Sequence, residues 1–166
     1  MKTLTILTLT LLSLTVLGQQ RTDKYHDYFG HKIEFFRDST FKYAYGFDLI
    51  HTWAIGKWTT NKDTIYLNFD NNKVYDTLVR ANRPDSLIES RDEISSRINE
   101  ESFAMQQLSS GGQSSEGITN RLIKRNGRLY LVDHDGKRIK ERREGIWRQK
   151  KWWGYKKWPV WYVKET

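Results

Sequence analysis

The feature that most constrains this chain is a series of short runs between residues 31 and 79 that have the pattern of β-strands, one of them with a strict period of two. Phe41, Tyr43, Tyr45 and Phe47 occupy every second position of one run. Side chains of an extended strand point alternately to opposite faces of a sheet, so this spacing gives the strand one apolar face and one polar face. Turn sequences rich in Asp, Asn and Ser separate such runs and predict a meander of antiparallel strands.

The same alternation returns after residue 117. Asn126 and Gly127 lie between two apolar runs, and both residue types tolerate the positive φ of a two-residue hairpin turn. Pro159 precedes an apolar stretch that has the pattern of a closing edge strand. We therefore predict a mainly β fold, an antiparallel meander of about 8–10 strands that closes into a small barrel or a strongly curved sheet, with one helical insertion.

Residues 80–117 interrupt the strand pattern and are predicted to form this insertion. Ser86 and Glu89 have the spacing of a capping box, which favours a helix start. The apolar residues that follow at spacings compatible with one helical face are Leu87, Ile94, Ile98, Met105 and Leu108. We expect a helix of about five or six turns followed by a flexible Gly/Ser-rich stretch over 109–117, either as a plain surface insertion or as a lid over the barrel mouth.

Residues 1–18 have the pattern of a signal peptide. The basic Lys2 precedes a run without charge over residues 4–17, and Gly18 ends it. Several Thr and Ser interrupt the run, which is shorter than the about 20 apolar residues of a membrane-spanning helix. The chain contains no cysteine, which excludes a lipid-modified cysteine and any disulfide. We expect one exported domain over residues 19–166, periplasmic or extracellular and without a lipid anchor.

Residues 137–166 form a basic, tryptophan-rich end of the chain. Between residues 137 and 157, ten Lys or Arg stand against Glu141 and Glu144, so this segment carries a net charge of +8, equal to that of the whole chain. Aromatic rings beside cations suit anionic membranes, acidic glycans and single-stranded nucleic acid, of which export makes nucleic acid the least expected. The predicted ligand- or anion-binding residues are Arg148, Lys150, Lys151, Trp152, Trp153, Tyr155, Lys156 and Lys157.

Core packing is the alternative interpretation of the aromatic residues at this end. A period of two over residues 158–162 favours the inner face of a last strand. We expect Trp147 and Trp161 in the core. Trp152 and Trp153 adjoin two lysines, and we expect them at the surface.

No sequence motif assembles a catalytic or metal site. The four histidines are scattered and no cysteine is present, so we expect no metal and no cofactor. Neither a nucleophile elbow nor a glycine-rich phosphate loop occurs. A hydrolase site would have to be assembled in space, with two or three of His51, His134, Asp63 and Asp76 converging in a cleft.

Several segments resemble the small exported lipocalin-like (calycin-type) β-barrel proteins of Gram-negative bacteria. The segments that carry this resemblance are Asp38-Ser39-Thr40-Phe41, Gly56-Lys57-Trp58 before Asp63-Thr64-Ile65-Tyr66-Leu67, and Asn126-Gly127-Arg128-Leu129-Tyr130 leading to Asp135-Gly136-Lys137. The resemblance implies a β-barrel with a ligand-binding or scaffold role and without catalysis.

The leading functional hypothesis is an exported, non-enzymatic β-barrel module. We expect it to bind an apolar or anionic ligand or surface, such as anionic lipid or an acidic glycan, with the basic end as its electrostatic contact. Two alternatives stay open. One is an envelope hydrolase with a spatially assembled His/Asp site, and the other is a subunit that docks on a partner protein through exposed tryptophans.

Overall fold

The computed structural model describes residues 21–145 and 147–165, so the predicted signal peptide lies outside the described residues. One helix, α1 (Glu100–Leu108), is present among them. The strands, in chain order, are β1 (Arg21–His26), β2 (His31–Phe36), β3 (Thr40–Phe47), β4 (Ile50–Asn61), β5 (Thr64–Phe69), β6 (Tyr75–Arg80), β7 (Arg83–Glu89), β8 (Arg97–Ile98), β9 (Ser110–Gln113), β10 (Arg121–Arg125), β11 (Arg128–Leu131), β12 (Arg142–Glu144), β13 (Lys150–Lys151), β14 (Gly154–Tyr155), β15 (Lys157–Pro159) and β16 (Tyr162–Lys164).

Eight of these strands close into an antiparallel barrel. The order around the wall is β1, β2, β3, β4, β5, β10, β11 and β16, and β16 returns to β1 with Tyr25 opposite Lys164. Closure pairs the backbone groups that the edge strands of an open sheet would leave exposed. The predicted mainly β fold, a meander closing into a small barrel with one helical insertion, is confirmed.

Alternate side chains of the barrel strands fill the interior. Tyr25 packs edge to face against Phe35 with ring centroids 6.1 Å apart, and Phe41 packs in the same way against Phe69 at 5.3 Å. The buried residues of this core are Tyr25, Ile33, Phe35, Phe41, Tyr43, Ala54, Ile65, Leu67, Leu122, Leu129 and Tyr162. Their spacing along the strands is the period of two on which the fold prediction depends.

The two ends of the barrel differ in the lengths of their connections. Consecutive antiparallel strands reverse direction, so the connections between them alternate between the two ends. Short turns join β2 to β3, β4 to β5 and β10 to β11 at one end, which we name the turn end. Asn126 and Gly127 at this end have φ of 51° and 69°, as a type I′ turn requires, so the predicted hairpin is confirmed. Both long insertions, between β5 and β10 and between β11 and β16, emerge at the opposite end, which we name the insertion end.

A group of charged side chains closes the barrel interior at the turn end. Lys124 Nζ donates to Asp23 Oδ2 at 2.8 Å, Lys164 Nζ forms an ion pair with Asp23 Oδ1, and the Tyr25 hydroxyl donates to Asp23 Oδ2 at 3.3 Å. Burial by itself raises the pKa of Asp23, but hydrogen bonds and charges from the two lysines outweigh it and hold the pKa below its ordinary value. The carboxylate is therefore stabilised in its ionised form.

The first insertion packs against the outer face of β4. β6 pairs with β7 and β8, and β9 runs parallel to the start of β4. Trp53 points outward from β4, is buried beneath the insertion, and donates from its indole Nε1 to the carbonyl oxygen of Arg91 at 2.7 Å. Leu78 and Asp76 are buried in the same insertion. This packing fits the interpretation as a surface insertion.

The helix is shorter than the sequence analysis predicts. Ser86 and Glu89, the expected capping box, lie in β7 and pair with β6. The helix begins after Asn99, whose side chain accepts a hydrogen bond from Ser102 N–H at 2.8 Å. Strand pairing satisfies the backbone of residues 83–89, whereas a helix without a buried face is only marginally stable. In the described part of the chain, no helix has the length and apolar character needed to cross a membrane.

Replacing a leucine in the core of the closed barrel should lower the stability of the fold. Leu129 is fully buried, and Leu129→Ala should lower the free energy of unfolding by about 2–5 kcal/mol because it leaves a cavity. Leu87 is 71% exposed, and Leu87→Ala should change it by less than about 0.5 kcal/mol. Urea unfolding of both variants measures the difference, and equal effects would contradict a dry barrel interior.

The ion pairs of Asp23 should make stability depend on acid pH. Because the folded-state pKa of Asp23 lies below the unfolded value of about 3.9, the unfolded state binds more protons in this range. The contribution of Asp23 is present above that value and is lost as the pH falls through the folded-state pKa. Urea unfolding between about pH 6 and pH 2 should show a shallower acid loss in Asp23→Asn than in wild type. The exposed Asp63 gives the control, Asp63→Asn, which should keep the wild-type slope.

Candidate functional site

The second insertion folds into a projecting β-hairpin, residues 142–159, which we name the basic hairpin. At its base β12 pairs with β15, with Glu144 opposite Lys157, and nearer the tip β13 pairs with β14, with Lys150 opposite Tyr155. A backbone hydrogen bond of 2.9 Å from Lys156 N–H to the carbonyl of Gln149 lies between the two ladders. The basic hairpin therefore contains all of the binding residues predicted from the sequence.

The tip of the basic hairpin presents two adjacent tryptophans to solvent. Trp152 and Trp153 are 97% and 81% exposed. They occupy the turn between Lys151 and Gly154, and Gly154 has φ of 125°, a conformation that favours glycine. Two large apolar side chains thus stand next to each other in solvent, where their apolar surface is not buried.

The remaining tryptophans of this end are placed differently from one another. Trp147 is 75% exposed, so the expectation that it packs in the core was wrong. It lies between the two ladders of the hairpin, where no strand directs its side chain inward. Trp161 is half-buried, packs against Tyr130 with ring centroids 5.7 Å apart, and carries Arg128 over its ring.

Aromatic stacking fixes the base of the hairpin to the barrel. Tyr28, in the loop between β1 and β2, stacks on Trp158 of β15 with centroids 3.8 Å apart and planes 8° from parallel. Lys156 Nζ lies 3.8 Å from the centroid of the same indole, a cation–π contact. A Cβ at Gly145 would lie 2.9 Å from Trp158 Cδ1 and 2.9 Å from Tyr28 Cε1, so only glycine fits there. The basic hairpin is thus anchored at its base, where it leaves the barrel.

The lysines of the hairpin carry uncompensated charge. Glu144 pairs with Arg148 at 3.5 Å, and Glu141 pairs with Arg143. These are the two carboxylates between residues 137 and 157, and both pair with arginines. Among the described residues, no carboxylate lies within ion-pair distance of Lys150, Lys151, Lys156 or Lys157. A groove of ≈ 700 Å³ beside the tip is lined by residues that include Lys151, Trp153 and Trp158.

The residues of the hydrolase hypothesis are dispersed. His51 and Asp63 lie at opposite ends of β4, roughly 30 Å apart at the rise of an extended strand. Asp76 is buried and accepts hydrogen bonds from Ser96 N–H at 2.8 Å and Ser96 Oγ at 3.0 Å. His134 is an exposed turn residue. Within residues 21–145 and 147–165, no three His, Asp or Glu side chains group as metal ligands.

A cavity of ≈ 380 Å³ opens at the insertion end of the barrel, and we name it the mouth cavity. Asp27 lines it and accepts, at Oδ1, hydrogen bonds of 2.9 Å from the N–H groups of Phe29 and His31. A 2.5 Å hydrogen bond joins His31 Nδ1 and the Tyr43 hydroxyl. The sequence analysis missed this cluster. The sequence around Asp27 is typical of an ordinary turn, and only strand pairing brings Tyr43 close to His31.

Burial controls the protonation of the mouth cavity. It raises the pKa of Asp27 and lowers that of His31, and the attraction between the two groups only partly offsets it. Burial also raises the pKa of the Tyr43 and Tyr162 hydroxyls, which stay protonated at neutral pH. The cavity thus combines a desolvated carboxyl group, a neutral imidazole and two phenol hydroxyls.

The fold and its two insertions define the class of protein. The chain is a β-barrel module, and its closed eight-stranded antiparallel barrel is compatible with a lipocalin-like fold. Comparisons of the chain with protein-family models, with curated proteins and with solved structures find no match.

Adding a methyl group at Gly145 should loosen the base of the hairpin. Gly145→Ala forces the stacked rings of Tyr28 and Trp158 apart, an overpacking cost of about 1–3 kcal/mol. Amide hydrogen exchange of β12 and β15 should become faster by about tenfold or more, while exchange in β2 and β11 should stay unchanged. Gly46→Ala is the matched control, since a Cβ at Gly46 meets no atom within 4 Å. Unchanged exchange in β12 and β15 would show that the stack does not anchor the arm.

Proposed function

We propose that this protein is an exported, non-enzymatic, lipocalin-like β-barrel module that binds an anionic lipid surface through the basic hairpin. The observation that carries the proposal is the tip, where Trp152 and Trp153 stand in solvent next to lysines without ion-pair partners. Indole rings favour the interface between lipid and water, because one edge of the ring is polar and its body is apolar. The projecting arm allows the rings to reach such an interface without any change in the barrel.

The binding free energy should have an electrostatic contribution from the lysines and an apolar contribution from the indoles. Each Lys near an anionic membrane surface contributes about 1 kcal/mol, so the four hairpin lysines together supply several kcal/mol. This attraction decays over a Debye length of about 8 Å at physiological salt, so it acts only when the arm is close to the surface. Burial of the indoles adds a contribution that salt does not screen. Binding should therefore weaken with salt and not vanish.

The lysine contribution can be removed by charge reversal. In sedimentation with phosphatidylglycerol-containing vesicles at low salt, the protein should bind, and the variant with Glu at the four lysines should lose binding by about a hundredfold or more. The substituted positions are Lys150, Lys151, Lys156 and Lys157. A control variant with the same change in charge places Glu at the exposed positions Arg37, Lys57, Lys62 and Arg125, which lie toward the turn end. The control should keep more of the binding than the hairpin variant does.

The indole contribution is tested by Trp152→Ala combined with Trp153→Ala. This variant should bind vesicles about tenfold or more weakly at high salt, where the electrostatic attraction is screened. Leu87→Ala combined with Ile94→Ala removes two other exposed apolar side chains and should have no effect. Equal binding of the wild type to neutral phosphatidylcholine vesicles would contradict the proposal. Binding to an acidic glycan column without binding to vesicles would replace the lipid surface with a glycan.

A further inference from the structure

The mouth cavity has the size of a small-molecule site and lies apart from the tip of the basic hairpin. Its volume of ≈ 380 Å³ falls within the range of about 300–1,000 Å³ that is usual for ligand pockets. Ile118, Leu131 and Val160 give it apolar walls, and Phe29 and Tyr45 add aromatic rings. A ligand that fits this cavity therefore has an apolar body of modest size.

The carboxyl group of Asp27 lacks a balancing cation. Its Oδ1 is occupied by two backbone N–H groups, and among the described residues no group donates to its other oxygen and no Lys or Arg lies within ion-pair distance. His31 does not supply the charge, because its lowered pKa keeps the ring neutral at neutral pH. Arg143 lines the rim, but its Nε donates to Glu141 Oε1 at 2.6 Å. Asp27 thus lines the cavity with one carboxyl oxygen that accepts no hydrogen bond from the described residues.

The hydroxyl of Tyr162 is also without a partner. The side chain is only 6% exposed and lines the cavity, and within the described ranges no group forms a hydrogen bond with its hydroxyl. Because Tyr162 lines the cavity, a ligand or a solvent molecule in the cavity can supply the partner of this hydroxyl. Tyr162 and Asp27 border the same cavity and supply acceptor atoms to it.

We propose that the mouth cavity binds a small organic amine in its protonated form, with the ammonium group held by the Asp27 carboxylate and the Tyr162 hydroxyl. An ammonium supplies the donors that both oxygens lack and the positive charge that the carboxylate lacks. The surrounding rings of Phe29 and Tyr45 stabilise a cation further through their negative faces. An anionic ligand would instead meet a desolvated carboxylate, while the guanidinium of Arg143 is already paired.

Three probes of similar body and different charge test the proposal. They are phenethylamine, the neutral 2-phenylethanol and the anionic phenylacetate, titrated at millimolar concentration into the labelled protein and followed by amide chemical shifts. Phenethylamine should shift the amides of Ile118, Leu131 and Val160, and should bind about tenfold or more tightly than 2-phenylethanol. Phenylacetate should bind most weakly. Because these probes need no membrane, the result is independent of the proposed surface binding.

Two substitutions locate the ammonium group. Asp27→Asn keeps the Oδ1 acceptor for the two backbone N–H groups and should weaken phenethylamine binding by about tenfold or more. Tyr162→Phe keeps the ring and should weaken binding several-fold. The matched controls are Asp63→Asn at the turn end and Tyr66→Phe on the exposed outer face, which should bind as the wild type does.

Three outcomes would overturn the amine site. They are no shift of the cavity amides with phenethylamine, binding of phenylacetate as tight as that of phenethylamine, and wild-type affinity in both Asp27→Asn and Tyr162→Phe. If Asp27→Asn fails to fold, Tyr162→Phe decides alone, because it removes only a hydroxyl without a partner in the described protein.

Discussion

Closure of the barrel by β16 is the constraint on which the rest of the structure depends. This strand of three residues pairs with β1 on one side and with β11 on the other, with Leu129 opposite Tyr162. It completes the hydrogen bonding of the wall and encloses an aromatic interior, so no disulfide is needed to hold the fold. The same strand begins three residues after the basic hairpin ends, so closure also fixes the C-terminal end of the hairpin to the barrel wall.

The two ends of the barrel differ in structure because the connections are unequal in length. At the turn end, short connections and the ion pairs of Asp23 with Lys124 and Lys164 seal the interior. At the insertion end, the longer connections leave room for the mouth cavity and carry the basic hairpin. Tyr28 and Trp158 join the two sites at that end, since the stack lies between the loop beside Asp27 and the base of the arm.

The sequence analysis succeeded where a local pattern has one structural solution. Phe41, Tyr43 and Tyr45 alternate because their strand has one dry face, and Asn126 with Gly127 forms the turn that their tolerance of positive φ favours. The helix prediction failed at residues 86–89. These residues have the spacing of a capping box, but they pair with the preceding strand β6 instead. The sequence analysis failed again at Trp147, because an aromatic residue between two short ladders has no pattern that reports its direction.

The sequence by itself determined the fold class, the cluster of positive charge and the exposed tryptophan pair. These follow from residue types and spacing within short segments, and such signals act locally. Only the tertiary structure decided the ring of eight strands, the projection of the arm and the meeting of Asp27, His31, Tyr43 and Tyr162 in one cavity. Those features depend on contacts between residues far apart in the chain. Such contacts form only when the whole barrel closes and buries its apolar surface.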